Sequence, residues 1–255
     1  MTIFYHDVDP LAFQYQVLGV AKEMKFRLTE LIEASSREIA LYQLAMESGR
    51  PSEEANEPRE NVFAYRFGSL IALLQTFRDA LIGALGKTAD ISSLEIDVPH
   101  AELFRNLRNA LVHDGYQPLN LWVEGRYYFP VNIRRTGMGG KVVLIDAPAE
   151  DIETLALQYV SGYGLRLAIL LETLPPQQRL QGPQRDYDWF QAASKHPAVE
   201  KMKIMMELPS RDKWPVPPTD ERHPIDVAAS QLRELIKTCE TRLSTLDLLR
   251  TYPFP

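Results

Sequence analysis

Apolar side chains recur along this chain at steps of three and four residues over four long stretches, and at steps of two over one short stretch between them. From about Pro10 to Glu47 the positions Phe13, Val17, Val20, Met24, Leu28, Leu31, Ile32, Ile39 and Tyr42 keep the helical step, which predicts a long amphipathic helix stopped by Gly49 and Pro51. A second runs from about Arg59 to Leu85, with Phe63, Phe67, Leu70, Ile71, Leu74, Phe77, Leu81 and Ile82 on one side and Gly86 at its end. A third is expected from Pro99, a residue that costs nothing in a first helical turn, to about His113, closed by Asp114 and Gly115. Between Asn120 and Asp146 the period falls to two. "LWVEGRYYFPVNIRR" and "KVVLID" then read as one antiparallel ribbon joined by the turn "TGMGG". Pro148 opens a fourth helix whose acidic first turn suits the positive end of a helix dipole.

Pro175 and Pro176 end that helix. Residues 175 to 224 hold nine prolines and one short helical stretch around "PAVEKMKIMMEL". Val227, Leu232, Leu235, Ile236, Cys239, Leu243 and Leu246 then mark a last long helix with an apolar face to bury. The pattern predicts a mainly α protein. Its first 174 residues form an up-and-down four-helix bundle with a small antiparallel β insertion at about 120–146 between the third and fourth helices. Residues 175–255 form a proline-rich extension whose helix packs on the bundle.

The composition changes this picture little. The chain has 255 residues, 45% hydrophobic, and a formal net charge of −6, so attraction to a polyanion must come from a local cluster of cations. Its single cysteine, Cys239, allows no internal disulfide and no thiolate metal site, which fits a reducing, cytoplasmic compartment. The beginning "MTIFYHDVDP" lacks the pattern of a signal peptide, and the most apolar window, "LALQYVSGYGLRLAILLETL", is interrupted by Gln158, Ser161 and Arg166, so no membrane span is expected.

The chemistry concentrates in "RNLRNALVHDGY", residues 105 to 116. On a wheel of about 100° per residue, Leu103, Phe104, Leu107, Ala110 and Leu111 make the core stripe. The other arc holds Arg108, Val112, Arg105, Asn109, His113 and Asn106. Arg105, Asn109 and His113 fall on one line at four-residue steps. No carboxylate lies between Arg105 and His113, so neither arginine has an opposite charge close by in sequence, and Val112 puts an apolar group inside the polar arc. A water-facing helix surface and a contact surface for a second copy of the chain both remain open.

Arg108, Asn109, three intervening residues and His113, at the end of a helix in an all-helical bundle, resemble the HEPN superfamily. The signature of that superfamily is an arginine, usually followed by Asn, Asp or His, with a histidine after four to six intervening residues. "RNALVHDGY" also has the form in which glycine and an aromatic residue follow the histidine. The motif spans nine residues and the helical pattern extends the likeness to about 10–174. The resemblance implies a metal-independent endoribonuclease without cofactor, acting as a homodimer whose arginines and histidines line a shared cleft, in a toxin or defence setting with an antitoxin or other protein partner. In that chemistry a ribose 2′-hydroxyl attacks the adjacent phosphorus. Arg108 would stabilise the charged phosphorane, His113 would move protons near neutral pH, and Asn109 would orient His113 or the phosphate. Arg105 and Tyr116 would contact RNA, with Arg126, Arg134, Arg135 and Lys141 of the ribbon as a basic wall. The superfamily also contains members that have lost catalysis, so a silent module that binds a nucleotide, RNA or a protein partner through the same arc stays open, as does a purely structural helical dimer.

Other signals are weaker. "GMGG" at 137–140 lacks a following lysine and reads as a hairpin turn. His6, His100, His196 and His223 have no metal-ligand spacing and are expected in loops. Trp189 and Phe190 of "DYDWF" are expected to pack on the bundle. Asp79 is a candidate to approach the arginines across the bundle. Ser161 has no preceding strand that would make it a nucleophile.

Overall fold

The computed structural model describes residues 10–49, 59–85, 91–114, 121–174, 187, 191, 194–201, 210–213 and 223–251. The long helices are α1 (Pro10–Ser48), α2 (Arg59–Leu85), α3 (Ala101–Asp114), α4 (Ile152–Thr173) and α6 (Pro224–Thr251), with a short α5 (Pro197–Lys201) before the last. The segment around Trp189 and Phe190, like His6, Tyr116 and Gly86, lies outside the described residues.

The molecule is mainly helical, and its helices share one core. α1 packs along α2 and along α6, and α6 along α4. α3 lies against α2 and reaches α4 through Phe104, which stacks on Tyr159 with ring centroids 4.3 Å apart and meets Phe67 of α2 edge-on. Val17, Met24 and Leu28 of α1 and Phe67, Ile71 and Phe77 of α2 are fully enclosed in the same core as Leu155 and Leu167 of α4 and Leu232, Leu235 and Cys239 of α6. Residues on both sides of position 175 therefore bury one another. α4 alone among the described helices is long and apolar enough to cross a membrane, and most of that apolar surface is buried against its neighbours, as expected of a core helix.

The single ribbon expected between α3 and α4 is two separate hairpins. β1 (Leu121–Val123) pairs antiparallel with β2 (Arg126–Tyr128), and β3 (Ile133–Thr136) with β4 (Val142–Ile145). Period-two patterning does not reveal the break, because both segments are rich in β-branched and aromatic residues. The cause is the pair Glu124–Gly125, both at positive φ (52° and 78°), which turns the chain back after three residues. "TGMGG" does close β3–β4, with Gly139 and Gly140 at positive φ. Tyr127 of β2 stacks on Phe63 at 4.4 Å and Phe129 meets Phe67 edge-on, which anchors the first hairpin in the core.

Pro99 also departs from expectation. α3 begins two residues later, at Ala101, because His100 takes φ 60° in a turn. The carbonyl of His100 accepts the Phe104 amide, and its ring Nε2 lies 2.7 Å from Gln158 Oε1 of α4. Gly162 of α4 lets this turn approach: a Cβ there would stand 2.8 Å from Pro99 Cδ.

Candidate functional site

The wheel of α3 is realised as drawn. Phe104, Leu107 and Ala110 are buried, Leu103 and Leu111 are partly buried against the core, and Arg105, Val112 and His113 are exposed. Val112 keeps 54% of its surface, the largest apolar exposure on this helix.

The arginines are not unpartnered, contrary to the expectation from their neighbours in sequence. Ten positions upstream, a 3₁₀ turn at Ser92–Glu95 brings Glu95 to α3, and Arg105 donates to Glu95 Oε2 through Nε at 3.0 Å and through a terminal nitrogen at 2.6 Å. Arg108 donates a very short hydrogen bond to Gln75 Oε1 on α2. The Gln75 amide nitrogen in turn donates to Asp79 Oδ1 at 2.7 Å, which fixes the amide so that its oxygen faces Arg108. Asp79 thus meets the arginines through Gln75 rather than directly.

These side chains enclose a cleft of about 30 Å³ lined by Leu74, Gln75, Arg78, Glu95, Phe104, Arg105, Arg108 and Tyr159. Three guanidinium groups face one carboxylate there. Burial pushes the Tyr159 phenol far above the ordinary range, aided by the neighbouring Tyr163, so it stays protonated. Arg78 hydrogen-bonds to no acceptor among the described residues. Sequence reading did not find Gln75, Arg78, Glu95 or Tyr159. They come from three other elements, and only the helix packing brings them together.

His113 is not in this cleft. It lies five residues beyond Arg108, and five residues advance a helix by about 7.5 Å and rotate it by about 140°. Arg108 turns into the seam between α2 and α3, while His113 is exposed on the last turn. Asn109 is half-buried between them.

A second polar cluster, which sequence reading reduced to an acidic first turn, sits at the start of α4. Asp151 caps that helix, accepting from the Thr154 amide at 2.9 Å. It also accepts from Arg126 of β2 at 3.2 Å and from Arg250 of α6 at 2.6 Å. Two residues on, Glu153 accepts from Arg242 Nε at 2.6 Å and from the Ser35 hydroxyl of α1. Burial raises the Glu153 carboxyl above the ordinary glutamate range in spite of Arg242. Because Arg126 is buried here, it is not part of a basic wall. Arg134 and Lys141 are exposed on the second hairpin, and Arg135 is half-buried. The two acids hold β2 and α6 to α4, a structural task.

His196 and His223 each accept a backbone amide two residues on, at 3.1 and 3.3 Å, and so serve helix starts. No group of three or more His, Cys, Asp or Glu that could hold a metal exists among the described residues. Comparison with protein-family models, characterised proteins and solved structures finds no match.

Proposed function

We propose that the chain is a metal-independent endoribonuclease of the kind its Arg–Asn–x3–His segment resembles, a cytoplasmic protein working as a homodimer on RNA. The observation that carries this reading is the division of α3. One side presents Arg105 and Arg108 at a cation-rich cleft, and the last turn exposes His113 beside the exposed Val112. An arginine cluster supplies paired hydrogen bonds to a phosphorane, and an exposed imidazole is a side chain that can hand a proton to a reacting oxygen or take one from it. What one chain lacks is their meeting. A second copy docked on Val112 through a twofold axis would bring the His113 of one chain towards the Arg108 of the other, with Asn109 between.

The test is cleavage of mixed RNA by wild type, Arg108→Ala and His113→Ala, alongside light scattering. Each substitution is expected to lower the rate by about 10²–10⁴-fold with little change in thermal stability. Wild-type cleavage that survives His113→Ala removes the histidine from the mechanism, and a strict monomer removes the shared site.

A second reading has its own support. Arg105 and Arg108 are already engaged by Glu95 and Gln75, and no histidine is among the described residues that line the cleft. A silent module that binds RNA phosphates without cutting them has this arrangement. Binding without cleavage by the wild-type chain would favour it.

A further inference from the structure

We infer that the cleft between α2, α3 and α4 is a phosphate subsite within each chain, and that Glu95 closes it in the free protein. The starting point is its charge. Arg78, Arg105 and Arg108 line it with Glu95 as the one carboxylate, and Arg78 has no hydrogen-bonded acceptor among the described residues. Guanidinium groups brought this close repel one another unless an anion lies between them, and a carboxylate offers two oxygens where a phosphate offers three or four. Glu95 is therefore the internal stand-in for a larger anion.

The hydrogen bonds agree. Arg105 is tied to Glu95 Oε2 through two of its nitrogens, so an anion that takes both arginine donors must displace that carboxylate. Entry requires Glu95 to swing out. The means lie in the side chain: Leu94 and Ile91 hold the 3₁₀ turn to the core, while the Glu95 carboxylate sits at the edge of the cleft, 17% exposed, and can rotate towards solvent. Once Glu95 leaves, Arg105 is free to bind the incoming anion together with Arg78. Arg108 stays oriented by Gln75, a neutral acceptor that leaves its full charge for the ligand. Tyr159, stacked on Phe104, forms a rigid floor.

This inference adds Arg78 and Glu95 to the site described above, and rests on the ribonuclease reading only in taking RNA as the source of the phosphate. Titration calorimetry with inorganic phosphate on the full chain tests the subsite without any need for cleavage. Glu95→Gln removes the competing charge and keeps the shape, so it is expected to bind phosphate about tenfold more tightly than wild type. Arg78→Ala in the Glu95→Gln background is expected to lose that gain, and Arg78→Lys to recover part of it. Helical circular dichroism and a melting curve check each variant for folding. Arg78→Ala alone, which breaks no hydrogen bond among the described residues, covers the case in which Glu95→Gln misfolds: it must weaken the wild-type affinity. A nucleoside 5′-monophosphate and a short RNA with a 5′-hydroxyl distinguish a terminal phosphate from a backbone phosphodiester as the ligand. Equal phosphate affinity in wild type, Glu95→Gln and the Arg78 variants would overturn the subsite. The same pattern of binding without RNA cleavage would keep the subsite and sink the ribonuclease.

Discussion

Gly125 is the residue on which the seat of the first hairpin depends. It holds φ 78°, and a Cβ there would stand 2.7 Å from Ile39 Cα and 2.9 Å from the Glu38 carbonyl oxygen, both backbone atoms of α1. Gly125→Ala meets two penalties at once, the left-handed backbone and a clash that no rotamer relieves, and should cost about 2–4 kcal/mol in urea unfolding. Loss near zero would show that the hairpin is not seated on α1. Glu153 gives a second residue-scale expectation, and its sign follows from burial. Its folded-state pKa is raised, because desolvation outweighs the hydrogen bonds from Arg242 and Ser35. A raised acid holds its proton more tightly in the fold. Its contribution is thus fully present below the ordinary glutamate value and is lost as pH rises through the raised one. Between pH 7 and pH 5 the unfolding free energy of wild type should therefore improve relative to Glu153→Gln, which does not titrate. A change of the opposite sign would mean that the Arg242 pair dominates. Neither residue stands out in sequence. Gly125 is one glycine in an "EG" pair inside a run that reads as strand, and Glu153 is one acid of an ordinary first turn.

The helices were the legible elements and the hairpins were not, for a reason that lies in the length of the signal. α1, α2, α4 and α6 each repeat the 3.6-residue step over six or more turns, so their interiors were placed and only their ends moved. A three-residue strand has no room to show a period, and the turn that splits the insertion is two residues long. Contacts between elements were less legible still. Arg242 reaches back 89 positions to Glu153, and Arg250 reaches 99 to Asp151. Nothing in local sequence pairs them. The consequence for α6 is testable through Cys239, which is 0% exposed, with a thiol that burial pushes up to about 12. A native thiol of this kind should not react with a disulfide reagent at pH 8 on the timescale of minutes. In rising denaturant its labelling should follow the same midpoint as the loss of helical circular dichroism. Labelling at a clearly lower midpoint would mean that α6 detaches first and that the shared core is two cooperative units. The exposed ion pairs Arg233–Glu172 and Lys25–Glu234 would not prevent this, since such pairs contribute at most about 1 kcal/mol.

For the molecule as a whole, the decisive relation is between two faces of α3 that one chain keeps apart. The formal net charge of −6 works against a long polyanion, so the RNA contact proposed above would have to be short-ranged and concentrated where guanidinium groups cluster. If each working site joins Arg108 of one chain to His113 of its twofold mate, then neither Arg108→Ala nor His113→Ala dimers retain an intact site. Equal amounts of the two variants, unfolded and refolded together, give half mixed dimers. In each of those, one site carries both substitutions and the other carries none. Activity should therefore return to about a quarter of wild type. A site built within one chain predicts no recovery, because every site in the mixture would still lack either its arginine or its histidine. Recovery that scales with the mixed-dimer fraction, measured as the mixing ratio is varied, ties the chemistry to the interface; its absence, with both single variants dimeric and folded, places cleavage elsewhere or removes it.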